Sequence, residues 1–418
     1  MNSPFRRSVA GHRDSIRELV DAALLGLGSE TVRLREARGR RLAATLGAPR
    51  SLPPWDNSQM DGYAVHTGDL GNGRLRVVAP IAAGEAAPAL ERGNAAPIMT
   101  GAPIPAGANT VIPIEAAVPD RFPDAAQLAA GFHVSLPATA EDGAYIRVEG
   151  SDIAAGDTVL EAGTRLGPTT LGILAGLGIG EVAVTRRPSV LLLSTGDELV
   201  APGGELGPGQ IHDANTTLLA AALDSAGCTV TTVGVLDDSP SLFTDSLRTA
   251  LASGERGYHL VISSGGISKG AFDVVKEVLA TNGIEFGSVA MQPGGPQGCG
   301  TLALPGCDPV AFIAFPGNPV SAFVSFEIFL RPALAEHLRL PARPLLEARL
   351  TEDMGSMPGK LQVRRGTYRD GIFTPLGGAS SHLLAALAAS NAFILIDEDT
   401  TELAAGQTVQ TLVIGDGS

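Results

Sequence analysis

Val190-Leu-Leu-Leu-Ser-Thr-Gly-Asp-Glu-Leu199, Leu260-Val-Ile-Ser-Ser-Gly-Gly-Ile-Ser-Lys-Gly270 and Ala311-Phe-Ile-Ala-Phe-Pro-Gly-Asn-Pro-Val-Ser321 share one plan: an apolar run, a Gly/Ser/Thr/Pro turn, then helix-compatible sequence. Continuous apolar runs alternating with helices are the signature of parallel strands buried on both faces. Such sheets bind ligands beyond the carboxyl ends of their strands, so the three turns are expected to line one pocket. A glycine-rich turn opening a helix offers backbone N–H groups and the positive end of the helix dipole to an oxyanion. The candidate binding residues are therefore Thr195, Gly196, Asp197, Asn215, Ser263, Ser264, Gly265, Gly266, Ser268, Gly317 and Asn318. Asp197, Glu198 and Asp273 lie in the same loops and only accept hydrogen bonds. A divalent cation such as Mg²⁺ reconciles carboxylates with a phosphate ligand.

Working outward, Ile16, Leu19, Val20, Ala23, Leu24 and Leu27 recur at helical spacing near the N-terminus. Residues 51–139 are rich in Gly, Pro and Ala with short strand-like pieces, a small β-rich domain. The α/β unit occupies 185–340. After Pro341 the pattern returns to short strands around Leu345–Leu350, Phe393–Asp397 and Thr408–Ile414, a small β-barrel or sandwich.

The chain of 418 residues carries a formal charge of −14, which argues against an extended polyanion such as DNA but leaves room for one small anionic ligand. Its three cysteines, Cys228, Cys299 and Cys307, have no disulfide-framework or zinc-ribbon spacing and suit a reducing cytoplasm. The stretch 172–184 is apolar but broken by glycines and Glu181, and no segment reaches the roughly 18 apolar residues of a membrane span. No His pair, Cys-x-x-Cys or Ser-His-Asp arrangement is present, and the Ser263–Gly270 loop lacks the Gly-Lys-Ser/Thr of a phosphate-binding Walker motif.

Six motifs in order resemble those of one family, the molybdopterin molybdenumtransferases of the MoeA type, similar to the E domain of gephyrin. They are Asn57-Ser-Gln-Met-Asp-Gly-Tyr-Ala64, Met99-Thr-Gly-Ala102, Ile146-Arg147 with Gly150 and Asp152, Ser194-Thr-Gly-Asp-Glu198, Ser264-Gly-Gly-Ile-Ser268 and Pro316-Gly-Asn-Pro-Val-Ser321. The resemblance implies an N-terminal helix (1–28) packed with the α/β domain, a connecting domain (29–50 and 140–184), the β-rich domain (51–139), the molybdopterin-binding domain (185–340) and a C-terminal β-barrel (341–418). It implies a homodimer whose active cleft takes Asp61 and Thr100 from the partner subunit. Its reaction inserts molybdenum from molybdate into adenylylated molybdopterin, with Mg²⁺ present and AMP released.

Carried onto this chain, Asp61, Thr100, Glu198, Asp237 and Asp273 become the catalytic set. Glu198, Asp237 and Asp273 would hold the metal, and Pro316 and Pro319 would fix the pocket wall. Arg365 and Ser381 would hold molybdate, as donors suited to an oxyanion. The chain departs from the family where Gln292-Pro-Gly-Gly-Pro296 replaces a Lys-Pro-Gly-Lys-Pro turn, and Ser288 stands where a lysine is frequent. Arg364, Arg365 or Lys360 is expected to compensate. Transient contact with other molybdenum-cofactor biosynthesis proteins is expected, and the rival functions are molybdopterin adenylylation, nucleotide hydrolysis of the competence-damage type, and a non-catalytic scaffold.

Overall fold

The computed structural model describes residues 5–196, 198–234, 240–254, 257–266 and 274–415. The chain forms two units, one of residues 1–27 and 187–418 and one of residues 28–186.

The first unit is built on a seven-stranded sheet: β1 (Phe5–Arg7), β2 (Ser189–Ser194), β3 (Thr229–Val233), β4 (Leu260–Ser264), β5 (Ile284–Val289), β6 (Pro296–Leu302) and β7 (Val310–Phe315), in the order 1-5-6-7-4-2-3. The β2–β3, β2–β4, β4–β7 and β1–β5 pairs are parallel, and β5–β6 and β6–β7 are antiparallel. The apolar runs are continuous because both faces are covered. Val190, Leu192, Ile262 and Ile313 pack with Ile16, Val20 and Leu24 of the Val9–Leu24 helix and with Leu219 and Leu223 of the Ala214–Ser225 helix. The alternate residues Leu191, Leu193, Val261 and Phe312 pack on the other face with Phe243, Leu247 and Leu279.

The β5–β6 hairpin is the part of this sheet that apolar periodicity does not announce. It carries Gly287, Gly298 and Gly300, and glycine is required there by close approach: a Cβ on Gly300 would stand 2.3 Å from Gly283 O. Phe5-Arg-Arg7 likewise becomes an edge strand only by pairing with Gly287–Val289.

The C-terminal strands β8 (Leu345–Leu350), β9 (Leu361–Arg369), β10 (Ile372–Pro375), β11 (Ala392–Ile396) and β12 (Thr408–Val413) close into a five-stranded barrel through the β9–β11 pairing. Its interior holds Ala348, Leu350, Phe373, Ile394 and Ile396. Gln362 and Arg364 stand opposite Ile396 and Ile394 on β11, whereas Val363 and Arg365 stand opposite Leu395 and Phe393. Val363 and Phe393 join the core of the seven-stranded sheet, so alternation places Arg365 on that side of β9.

The second unit contains a five-stranded sheet with neighbours in the order Thr110–Pro113, Gly62–Val65, Asn94–Ile98, Arg74–Val77, His133–Ser135. Tyr63, Val65 and Val134 fill one of its cores, and Ala64, Ile98 and Val111 fill another. A third surrounds the antiparallel Ser29–Arg33 and Glu181–Thr185 strands and the Pro168–Gly176 helix.

One buried group carries a pH dependence. His12 is fully buried, 5.8 Å from the Phe5 ring and 4.7 Å from that of Phe329, with neither nitrogen hydrogen-bonded among the described residues. Burial first, then the nearby Arg7 charge, lowers its pKa to about 4 against the opposing pull of Gln297. Neutral His12 therefore contributes its full stability above the unfolded value of 6.5, and that contribution is lost as pH falls towards about 4. The loss amounts to roughly 3 kcal/mol. Thermal unfolding followed against pH is expected to show this acid limb in the wild type and a shallower one in His12→Leu. Superimposable limbs would assign the titration elsewhere.

Candidate functional site

The carboxyl ends of β2, β4 and β7 lie side by side, with Ser194 paired to Ser264 and Ser264 to Phe315. Backbone bonding continues past the strand ends: Thr195 N donates to Ser264 O at 3.3 Å and Gly265 N to Phe315 O at 3.2 Å. These bonds draw the three bends together. A Cβ on Gly265 would lie 2.6 Å from Thr195 O, and one on Gly317 would lie 3.3 Å from Gly265 Cα. Gly265 has φ +97°, a region open to glycine at little cost.

Asn215 is the brace of this arrangement. Its side-chain amide donates to Ser264 Oγ at 2.7 Å and to Gly317 O at 2.6 Å, tying two bends to the Ala214–Ser225 helix. The helix itself is capped by Asp213, which accepts from Thr216 N. Asn215 thus spends its donors on the protein and keeps only Oδ1 for a ligand.

What remains unspent defines the chemistry. Ser194 Oγ, Thr195 Oγ1, Ser263 Oγ and Asn215 Oδ1 are buried with no partner among the described residues. The amides of Gly196, Gly266, Gly317 and Asn318 likewise donate to none of them. Buried polar groups are rarely left unpaired, and their concentration along one sheet edge marks a place made for a polar guest. Ser194 joins the candidate residues only through its burial beside Ser264, which residue type alone does not signal.

Glu198 stands at the rim. Its carboxylate is exposed, has no partner among the described residues, and would lie 2.6 Å from a Cβ on Gly196. The N–H donors suit a phosphate and the free carboxylate does not, and a divalent cation bridging carboxylate and phosphate reconciles the two. Asp197, Asp237, Ser268 and Asp273 lie outside the described residues. Among the described residues no group of three His, Cys, Asp or Glu gathers as a metal centre.

The barrel contributes a second cluster. Ser381 Oγ accepts from Asn318 Nδ2 at 2.9 Å, fastening its loop to the bend of Pro316–Pro319. Pro316 is buried and Pro319 begins the Pro319–Ser325 helix, so the wall between β7 and this loop is stiff. Arg365 is only 3% exposed, and its Nε and Nη2 have no partner among the described residues. It accepts from Leu376 N through its carbonyl, and Gly377, in the loop leading to Ser381, would carry a Cβ 3.5 Å from Nη2. Burial, reinforced by Arg364, lowers the pKa of this guanidinium.

Of the three expected compensating cations, only Arg365 has this character. Arg364 takes the other face of β9 and donates to Gly355 O at 3.3 Å, and Lys360 is exposed in a turn. Gln292 pairs with Gln362, three residues before Arg365 on β9, and its Oε1 is buried without a partner among the described residues.

In the second unit, Asp61 Oδ1 accepts from Thr100 N at 2.7 Å and Thr100 Oγ1 at 2.8 Å. The backbone donor chiefly, then the hydroxyl, holds the exposed Asp61 carboxyl below its usual range. No helix of the described residues is long and apolar enough to cross a membrane.

Comparisons with known proteins agree with this anatomy. A model of the MoeA N-terminal region (domains I and II) matches residues 7–178, a probable molybdopterin binding domain matches 191–336, and the MoeA C-terminal region (domain IV) matches 347–414. Molybdopterin molybdenumtransferase 2 of Mycobacterium tuberculosis is 39% identical over 97% of this chain and 98% of its own length. The molybdopterin molybdenumtransferase of Haemophilus influenzae is 34% identical over 91% of this chain and 93% of its own. The crystal structure of a molybdopterin biosynthesis MoeA protein from Pyrococcus horikosii superposes with a TM-score of 0.76 at 28% identity, covering 96% of this chain and 98% of that one. Matched along nearly its whole length in both sequence and fold, the chain belongs to the MoeA family.

Proposed function

We propose that this protein inserts molybdenum from molybdate into adenylylated molybdopterin and releases AMP. The observation that carries the reading is the joining of two clusters through Asn318 and Ser381: strand ends with unspent amides and hydroxyls, and a buried guanidinium whose Nε and Nη2 have no partner among the described residues. The first suits the phosphate groups of a pterin nucleotide and the second suits molybdate. The names of the full-length relatives support the same chemistry.

The residues work by positioning and charge. The bends at Gly196, Gly265 and Gly317 orient the pyrophosphate through main-chain donors, while Asn215 keeps them in register. Arg365 and Ser381 hold the metal oxyanion near the pterin sulfurs. Glu198, with Asp237 and Asp273, would hold Mg²⁺, which neutralises charge on the phosphoanhydride when bound. We further infer a homodimer in which a second copy supplies Asp61 and Thr100, with Asp61 kept ionised by its two hydrogen bonds to Thr100. No protein nucleophile is required. Three free cysteines fit a reducing cytoplasm, where we place the enzyme.

The test is incubation of the purified protein with adenylylated molybdopterin, Mg²⁺ and graded molybdate, following AMP and metal-bound cofactor together. AMP and metal-bound cofactor are expected to rise in step with molybdate. AMP released independently of molybdate would identify a phosphohydrolase, and its absence at every molybdate level would leave a scaffold or another substrate.

A further inference from the structure

The most exposed aromatic surface of the second unit adjoins the Asp61 motif. Asn57–Ser58 pairs antiparallel with Ile146–Arg147, Arg147 standing opposite Asn57, and Gln59 N donates to Tyr145 O at 2.9 Å. Ser58 and Asn57 are both buried and Ile146 packs on the core around Ala64 and Ile98, whereas Arg147, opposite Asn57, is exposed. Trp55 and Tyr145, two residues to either side of the Asn57–Arg147 row, are 50% and 44% exposed. Neither ring contacts another ring, and the Arg147 guanidinium has no hydrogen bond or ion pair, among the described residues. Tyr145 also holds φ +55°, a left-handed conformation that a bulky residue adopts rarely. Four residues beyond Asn57 on the same chain, Asp61 meets Thr100.

We propose that Trp55, Arg147 and Tyr145 form a stacking ladder for the flat, nitrogen-rich ring of the substrate, its adenine or its pterin. The inference rests on the reaction proposed above and adds specificity-determining residues to it. The paired row is Asn57–Arg147; Trp55 lies in the bend that precedes it and Tyr145 in the turn that enters it. A flat ring stacks at a contact distance of about 3.5–4 Å on each face. Guanidinium and aromatic faces both stack on heterocycles, and the charge of Arg147 favours a ring that carries phosphate nearby. An exposed tryptophan and an unpaired arginine on a ribbon that leads into Asp61 fit this guest.

Trp55 is the sole tryptophan of the chain, so its fluorescence reports the ladder directly. AMP titrated into the full-length protein is expected to quench it saturably. In equilibrium dialysis, Trp55→Leu and Tyr145→Asn are each expected to weaken AMP binding at least about fivefold, the lower range of ring stacking. Asparagine tolerates the left-handed backbone, so that variant removes the ring and keeps the turn. Trp55→Phe is expected to restore binding. A phosphate-free pterin that displaces AMP shows that the slot accepts either ring, and failure to displace it assigns the slot to adenine. The ladder is overturned if AMP binds with Trp55 emission unchanged, if Tyr145→Asn binds AMP like the wild type, or if emission follows protein dilution and ignores AMP, which would show a second copy covering the patch. Wild-type protein that quenches with AMP yet never inserts molybdenum would refute the reaction and spare the ladder. Insertion with an unchanged KM for adenylylated molybdopterin in Trp55→Leu would refute the ladder alone.

Discussion

Substituting Arg365 by alanine is expected to raise the molybdate concentration needed for half-maximal insertion roughly 10- to 150-fold, the equivalent of one hydrogen bond to a charged group. The lysine-free Gln292-Pro-Gly-Gly-Pro296 turn leaves Arg365 as the cation suited to this role among Arg364, Arg365 and Lys360. Arg365→Met tests the same idea from the other side. A buried guanidinium with two nitrogens unpartnered among the described residues is costly to the ligand-free protein, so an apolar replacement is expected to raise the melting temperature by on the order of 2 °C while weakening molybdate use. The opposite signs distinguish a binding group from a structural one. Unchanged molybdate dependence in both variants would remove Arg365 from the site and end the compensation argument.

Gly265→Ala is expected to lower kcat/KM about a hundredfold. At φ +97° a side chain is strained, and its Cβ would be driven to 2.6 Å from Thr195 O, a backbone atom with little freedom to move. The bend must shift, and displacements near 1 Å at a positioning group cost about that factor in rate. Gly306→Ala is the control. Gly306 has φ +81° but no atom within 4 Å of its added Cβ, and it precedes β7 at the opposite edge of the sheet. It is expected to lose stability and keep kcat/KM. Equal activity in the two variants would show that the convergent bends do not bind substrate.

The α/β core was legible because its residues answer to a local rule. Val190–Leu193 and Val261–Ile262 are apolar at every position, and this requires cover on both faces; the two clusters above and below the sheet supply it. The barrel strands were legible through their alternation, yet barrel or sandwich could be decided only by the β9–β11 pairing, a contact between residues about thirty apart. The β5–β6 hairpin is illegible in the sequence for a physical reason. Gly300 answers to Gly283 across the hairpin and Gly287 to Phe5, far away in the chain, and hydrophobic periodicity encodes neither contact.

Among site residues, those of the three turns could be named from composition, since backbone donors and hydroxyls are written into Gly and Ser. Their division of labour could not. Asn215 proved to be a brace, Asp213 the cap, and Ser194 an unspent hydroxyl, because hydrogen-bond partners are set by packing.

The amino-acid sequence alone determined the strand–turn–helix alternation, the acidic balance and the chemical kinds of group available, because periodicity and residue type are properties of short stretches. Tertiary structure alone decided that three bends meet at one sheet edge and that Arg365 and not Arg364 is buried towards the sheet core. Such outcomes depend on which strands become neighbours, and pairing between distant segments is a property of the whole folded chain.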